Sequence, residues 1–161
     1  MEFCHNDEIL GMAVFQQLGQ FVRQWQSHWR AGPPDFERFE QELHEHIMAV
    51  ERALLTEELA RYDVTAAAIE VGGVVYRPAL VASETYLSAA GPITVTRHLY
   101  RPSGRGSKSI CPLELRVGII RGYRTPRAAR QGAFVMAHLT PGDSQALFAE
   151  LGSMQPSRAS L

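Results

Sequence analysis

Cysteine is scarce in this chain, and no apolar run is long. Cys4 and Cys111 lie far apart and neither belongs to a CxxC pair, so a disulfide framework and a zinc site are both poorly supported. No apolar stretch reaches the ~18–20 residues that a membrane span requires. The opening "MEFCHNDEIL" lacks a basic segment followed by an apolar one, so no signal peptide is expected. A glycine-rich phosphate loop is also missing, because "GRG" at 104–106 is too short. These absences lead to the expectation of a cytoplasmic, reduced protein without a membrane segment.

Acidic residues are scarce in one half only. Residues 71–161 hold ten Arg and Lys108 against Glu84, Glu114, Asp143 and Glu150, whereas residues 1–70 hold thirteen Asp/Glu against five Arg. The net charge of −1 therefore hides an acidic half and a basic half. A basic half with few acids suits a polyanion partner, since each Lys/Arg–phosphate contact releases counterions. The alternative is mutual neutralisation of the two halves, or simply solvated faces.

What is present has clear periodicity. The 161 residues suit one domain, or a small domain with a helical arm. From Asp7 to about Trp29, apolar residues recur at spacings of three and four (Ile9/Leu10, Ala13/Val14, Leu18, Phe21/Val22, Trp25 and Trp29), which predicts an amphipathic helix. "AGPPD" (31–35) ends it, with Asp35 placed to cap a second helix from about Phe36 to Tyr62. Phe39, Leu43, Ile47, Val50 and Leu54 form the apolar stripe of that second helix. Two such helices joined by a short loop suggest a hairpin, or an arm that forms a homodimer.

The pattern then becomes that of strands. Ile69, Val71, Val74 and Tyr76 surround Gly72-Gly73, a dipeptide suited to a two-residue hairpin turn. "ALVASETYL" and "ITVTRHLYR" read as a second hairpin around "SAAGP", with Ile93, Val95, Arg97 and Leu99 on one face. Thr94, Thr96, His98 and Tyr100 fall on the other. Helical signals return at Thr125-Pro126 and again at Thr140-Pro141, each a cap followed by proline at the first helical position. Gly152 suits a helix end and Ser157 offers a further cap, so the layout is that of a helix-turn-helix.

The expected fold is α+β, with four parts. Residues 1–64 are expected to form an acidic helical hairpin, 65–101 about four antiparallel strands, 102–124 a loop and connector, and 125–161 an incomplete helix-turn-helix-like DNA-binding element whose last helix is truncated.

Catalysis finds little support. In "ELHEHIM" (42–48), His44 and His46 are two apart and face different sides of a helix, not the i, i+4 pair that zinc needs. Cys111 precedes a proline, with no neighbouring histidine or helix start to activate it, and reads as a buried thiol. Too few carboxylates remain in the second half for a two-metal site, so no catalytic residue, metal or cofactor is assigned. An enzyme built on His98 or Glu84 lacks an identifiable partner group. Binding is better supported. Arg116, Arg121, Arg124, Arg127 and Arg130 cluster before and within the first helix of the proposed element, where arginines hold phosphates in such modules.

"GPITVTRHLYRP", "PLELRVG", "GYRTPRAAR" and "ALFAELGSMQPSRAS" follow one another in an order that resembles the N-terminal region of bacterial insertion-sequence transposases of the ISKra4 type and their ISLre2-like relatives. The resemblance runs from about residue 35 to the end. It implies DNA binding at the terminal inverted repeats of a mobile element, with Ser157, Arg158 and Ser160 at the start of a recognition helix. Members of that family continue into an RNase H-like catalytic domain, and some carry a second cysteine near the position of Cys111. Neither occurs here, so the resemblance implies a truncated, non-catalytic part of a transposase without a zinc knuckle. A stand-alone dimeric nucleic-acid-binding regulator or interaction module is the other reading.

Overall fold

The computed structural model describes residues 7–28, 35–102, 108–151, 154 and 156. Trp29, Gly152, Ser157, Arg158 and Ser160 lie outside the described residues, as do Cys4 and most of the 102–109 loop. The fold is α+β: helices α1 (Asp7–His28) and α2 (Phe36–Ala60), strands β1 (Ile69–Val71), β2 (Val74–Ser88) and β3 (Gly91–Pro102), then helices α3 (Pro112–Val117), α4 (Pro126–Met136) and α5 (Pro141–Glu150). No described helix is long and apolar enough to cross a membrane.

The caps behave as their sequences dictate. Asp35 Oδ1 accepts from the Arg38 amide at 3.3 Å and opens α2. Thr125 Oγ1 accepts from the Ala128 amide at 3.4 Å, and Thr140 Oγ1 from that of Asp143 at 3.2 Å, with a proline following each threonine. These bonds satisfy amides that the first helical turn leaves without partners.

Helix α2 uses two faces, which the single stripe read from sequence does not separate. Towards its start, Phe39 stacks on Phe21 with centroids 5.9 Å apart, and Trp25 Nε1 donates to Glu42 Oε2 at 3.1 Å. Towards its end, Leu55 and Leu59 enter the main core beside Tyr86, Ile93, Val95, Cys111 and Leu113. Arg52 Nη1 donates to the Ala90 carbonyl at 3.0 Å and ties α2 to the β2–β3 turn. Ile47 and Leu54, expected in the stripe, are instead exposed.

The sheet has three antiparallel strands in the order β1-β2-β3, not about four. Gly72 and Gly73 both have positive φ, 60° and 78°, as a two-residue turn matching strand twist requires. The difference lies at Pro78, where "VVYRP" runs on into "ALVASETYL" as one strand. Pro78 pairs with Tyr100 next to a register shift. Tyr100 exchanges both backbone bonds with Ile110 on its other side, each 2.8 Å, so it asks no donor of Pro78. A proline is tolerated where the ladder needs no N–H. Ile93, Val95 and Arg97 point inward as their alternation predicts. Tyr100 is also buried, because its hydroxyl donates to the carbonyls of Val64 and Ala66 (3.0 and 2.8 Å) and anchors the segment after α2.

Residues 102–124, expected to be loop and connector, contain α3. At six residues it is too short for its periodicity to register, yet it delivers Leu113 and the thiol of Cys111 into the core. Cys111 is the N-cap of α3, which corrects the expectation that no helix starts beside it. Burial nevertheless pushes its thiol pKa up. A second cluster joins Ala128 of α4, Phe148 of α5 and Met154, with Leu87 of β2 and Val135 packed on it.

Leu113 is fully buried, while Leu115 two residues on is 60% exposed. Leu113→Ala should therefore destabilise the fold by about 2–5 kcal/mol. Leu115→Ala should stay within about 0.5 kcal/mol. Urea unfolding followed by circular dichroism compares the two, and equal effects would contradict the placement of α3.

Candidate nucleic-acid interface

The arginines picked out by sequence are carried on a short, tightly fastened segment. Helix α3 stops at Gly118 in the left-handed conformation, φ 73°. Ile120 and Arg124 then bond to each other, N–H to carbonyl in both directions, at 2.8 and 3.1 Å. Between them Arg121 and Gly122 both have positive φ, 54° and 77°. Leu87 at the end of β2 holds this turn from the outside: its amide donates to the Tyr123 carbonyl at 2.7 Å, and its carbonyl accepts from the Thr125 amide at 3.0 Å. Thr125 then caps α4. The sheet, the turn and α4 are thus fixed to one another by main-chain bonds.

This turn brings Arg121, Arg124 and Arg130 together. They line one open groove of about 510 Å³ that also has Ile120, Pro126 and Ala129 on its surface. The Arg124 guanidinium lies over the Tyr123 ring at 4.9 Å, a cation–π contact. Arg121 and Arg130 are exposed, and neither forms an ion pair with a described residue. Guanidiniums present planar, bidentate donors suited to phosphate oxygens.

Arg116 and Arg127 are not part of that groove. They line a separate pocket of about 430 Å³ with Glu51 and Glu58 of α2, above Leu55 and Leu59. Arg127 Nη1 sits 4.0 Å from Glu51 Oε1, with the side chains 65% and 36% exposed. An exposed pair at this distance contributes little to stability. It does place a carboxylate beside Arg127, which is the mutual neutralisation considered from composition. Ser157, Arg158 and Ser160 lie outside the described residues.

The sequence reading missed a buried ionic cluster. Arg97, 9% exposed, donates from Nη2 to Glu84 Oε2 at 2.7 Å. Its Nε lies 3.4 Å from Glu114 Oε1, an ion pair without hydrogen-bond alignment. Tyr86 Oη donates to the same Glu114 oxygen at 2.9 Å. Burial, then this bond to a carboxylate, push the tyrosine pKa up. Arg97 keeps its charge although burial opposes it, because the hydrogen bond it donates to Glu84 and the negative charge of Glu114 outweigh that penalty. The available signal was an arginine on the apolar face of β3, which demands a carboxylate on the same face.

His98 also has a partner. Its Nδ1 lies 2.6 Å from Asp63 Oδ2, and its amide donates to Asp63 Oδ1 at 2.9 Å, fastening the end of the α2 segment to β3. Among the described residues no group of three or more His, Cys, Asp or Glu side chains is placed to hold a metal ion. Comparison with known protein families, curated proteins and solved structures finds no match.

Arg121 carries the one positive φ of a described residue other than glycine. That conformation costs an L-residue about 1–2 kcal/mol, of which glycine would return about 0.4–1 kcal/mol through the unfolded chain. Arg121→Gly should accordingly raise unfolding stability by about 0.5–1 kcal/mol while weakening binding to a polyanion. Thermal melts and heparin-column retention read the two effects separately. A variant that loses stability would show that the turn does not strain Arg121.

Proposed function

We propose that the protein binds DNA, with the groove of Arg121, Arg124 and Arg130 as its phosphate-contacting surface. In its specific form, the reading is the DNA-binding part of a transposase of the resembled type, directed at terminal inverted repeats and without catalytic activity of its own. The observation that carries the DNA reading is the convergence of three arginines on one groove at the start of α4. Helices α4 and α5 are joined by the four residues Ala137 to Thr140, a connection of helix-turn-helix length. In that arrangement α4 crosses the sugar–phosphate backbone, and side chains further along the chain read base edges.

The groove alone provides contacts to phosphate and none to bases, so its binding should be strongly salt-dependent and insensitive to sequence. On duplexes of unrelated sequence, Kd should fall near ~10⁻⁴–10⁻⁶ M at physiological salt. Changing Arg121, Arg124 and Arg130 together to Gln should lower affinity equally on all of them and reduce the salt slope by nearly three, at ~0.9 per phosphate. Arg116→Gln with Arg127→Gln should change the slope by less than one. Fluorescence anisotropy across a salt series decides, and equal losses from the two sets would remove the groove as the site.

The stand-alone regulator reading shares with the transposase reading an association through a different surface. Phe15 and Val22 on α1 are 54% and 41% exposed, and Ile47 and Leu54 on α2 are 42% and 43% exposed. Each pair is seven residues apart, the repeat that a partner helix covers. Association of two copies through α1 and α2 as helical arms would bury all four, in a transposase and in a regulator alike. Light scattering should give a dimer for the native chain and a monomer for Ile47→Glu with Leu54→Glu. A native monomer at high micromolar concentration would exclude this interface.

A further inference from the structure

We infer that the distal end of the sheet is a second DNA contact, in which Arg77 and Arg101 grip the phosphodiester backbone of the duplex. The inference rests on the DNA-binding reading but concerns a surface separate from the Arg121–Arg124–Arg130 groove. Arg77 of β2 and Arg101 of β3 are direct cross-strand partners, so their side chains leave the same face of the sheet side by side. Like charges placed directly opposite one another repel, and no described carboxylate forms an ion pair with either. Both arginines are exposed. Arg101 Nε donates to Ser109 Oγ at 3.3 Å, a neutral partner. The nearest carboxylate by register is Glu70, opposite Val75 and diagonal to Arg77, and it makes no ion pair with either arginine. Glu84, the one acid among residues 71–109, is committed to Arg97.

The geometry around the pair fits a duplex. From Val74 to Val81 every residue of β2 is exposed except the half-buried Tyr76, so this end of the sheet stands clear of the helices. Eight residues at ~3.3 Å each give a ribbon about 25 Å long. β1 beside Tyr76 and Ile110 beside Tyr100 widen this end of the sheet beyond two strands, so the arginine pair meets the phosphate backbone from outside the duplex. The antiparallel bridge between Tyr100 and Ile110 turns the chain back along the end of β3, which brings exposed Lys108 to the same end as Arg101. An anion seated between Arg77 and Arg101 removes their repulsion and gains two charge-assisted hydrogen bonds.

The test compares two double variants of the full chain on one duplex across a salt series. Arg77→Gln with Arg101→Gln should reduce the salt slope by close to two, at ~0.9 per phosphate contact. Arg77→Lys with Arg101→Lys should retain most of the slope, because charge is kept. The thermal midpoint of the Gln pair should be unchanged or raised, since a repulsion is lost, so weakened binding cannot be assigned to unfolding. Arg121→Gln with Arg130→Gln is the reference. If that pair weakens binding and the Arg77/Arg101 pair leaves the slope intact, the inference is overturned and the groove stands. If neither pair changes binding, or the native chain binds no duplex, both readings fail together. A change in oligomeric state on losing Arg77 and Arg101, with DNA binding intact, would make this end of the sheet a protein contact and also overturn the inference.

Discussion

The arrangement depends on one buried guanidinium. Arg97 stands on β3 among apolar neighbours, and its charge is balanced by Glu84 across the strand pair and Glu114 on α3. Because an unpaired charge there would be severely unfavourable, α3 must dock where Glu114 can reach it. That docking fixes Gly118, the turn at 121–122 and the bonds to Leu87, and so sets the direction of α4. Replacing a buried ion pair with apolar residues is often neutral for stability. The cluster is therefore better understood as setting position than as adding net stability, with the placement of the basic turn as its consequence.

The charge asymmetry of the sequence resolves into three kinds of arginine. Arg97 is internal and neutralised. Arg127 borders the acidic α2 helix beside Glu51, and Arg116 lines the same pocket. Arg121, Arg124 and Arg130 face an open groove, and Arg77 and Arg101 stand at the far end of the sheet. Composition alone cannot separate these groups, since each counts as one positive charge. Arg121, Arg130, Arg77 and Arg101, which form no ion pair with a described residue, keep an unbalanced field that can attract a polyanion.

Much of the fold was legible because its signals are local. Asp35, Thr125 and Thr140 cap the helices that follow them, and Gly72-Gly73 makes its turn, since each depends on a few adjacent residues. Inward alternation over Ile93, Val95 and Arg97 was equally readable. The rest depends on residues distant in sequence. Pro78 stays within a strand because Ile110 takes the bonds of Tyr100. The six residues of α3 are held by the core and by Arg97, with too few turns to show a period. Arg116 and Arg127 part from the other arginines because α2 packs beside them, and no spacing rule in the segment 116–130 contains that fact.

The central claim is that the 121–130 segment carries the DNA contact while Arg97 holds it in place from within. Side-chain Nε–Hε resonances of arginine, followed by NMR during titration with a short duplex, test this directly. The account predicts saturable shifts for Arg121, Arg124 and Arg130, with the Arg97 resonance protected from exchange and unmoved. Unchanged resonances for all three groove arginines, or a displaced Arg97, would contradict it.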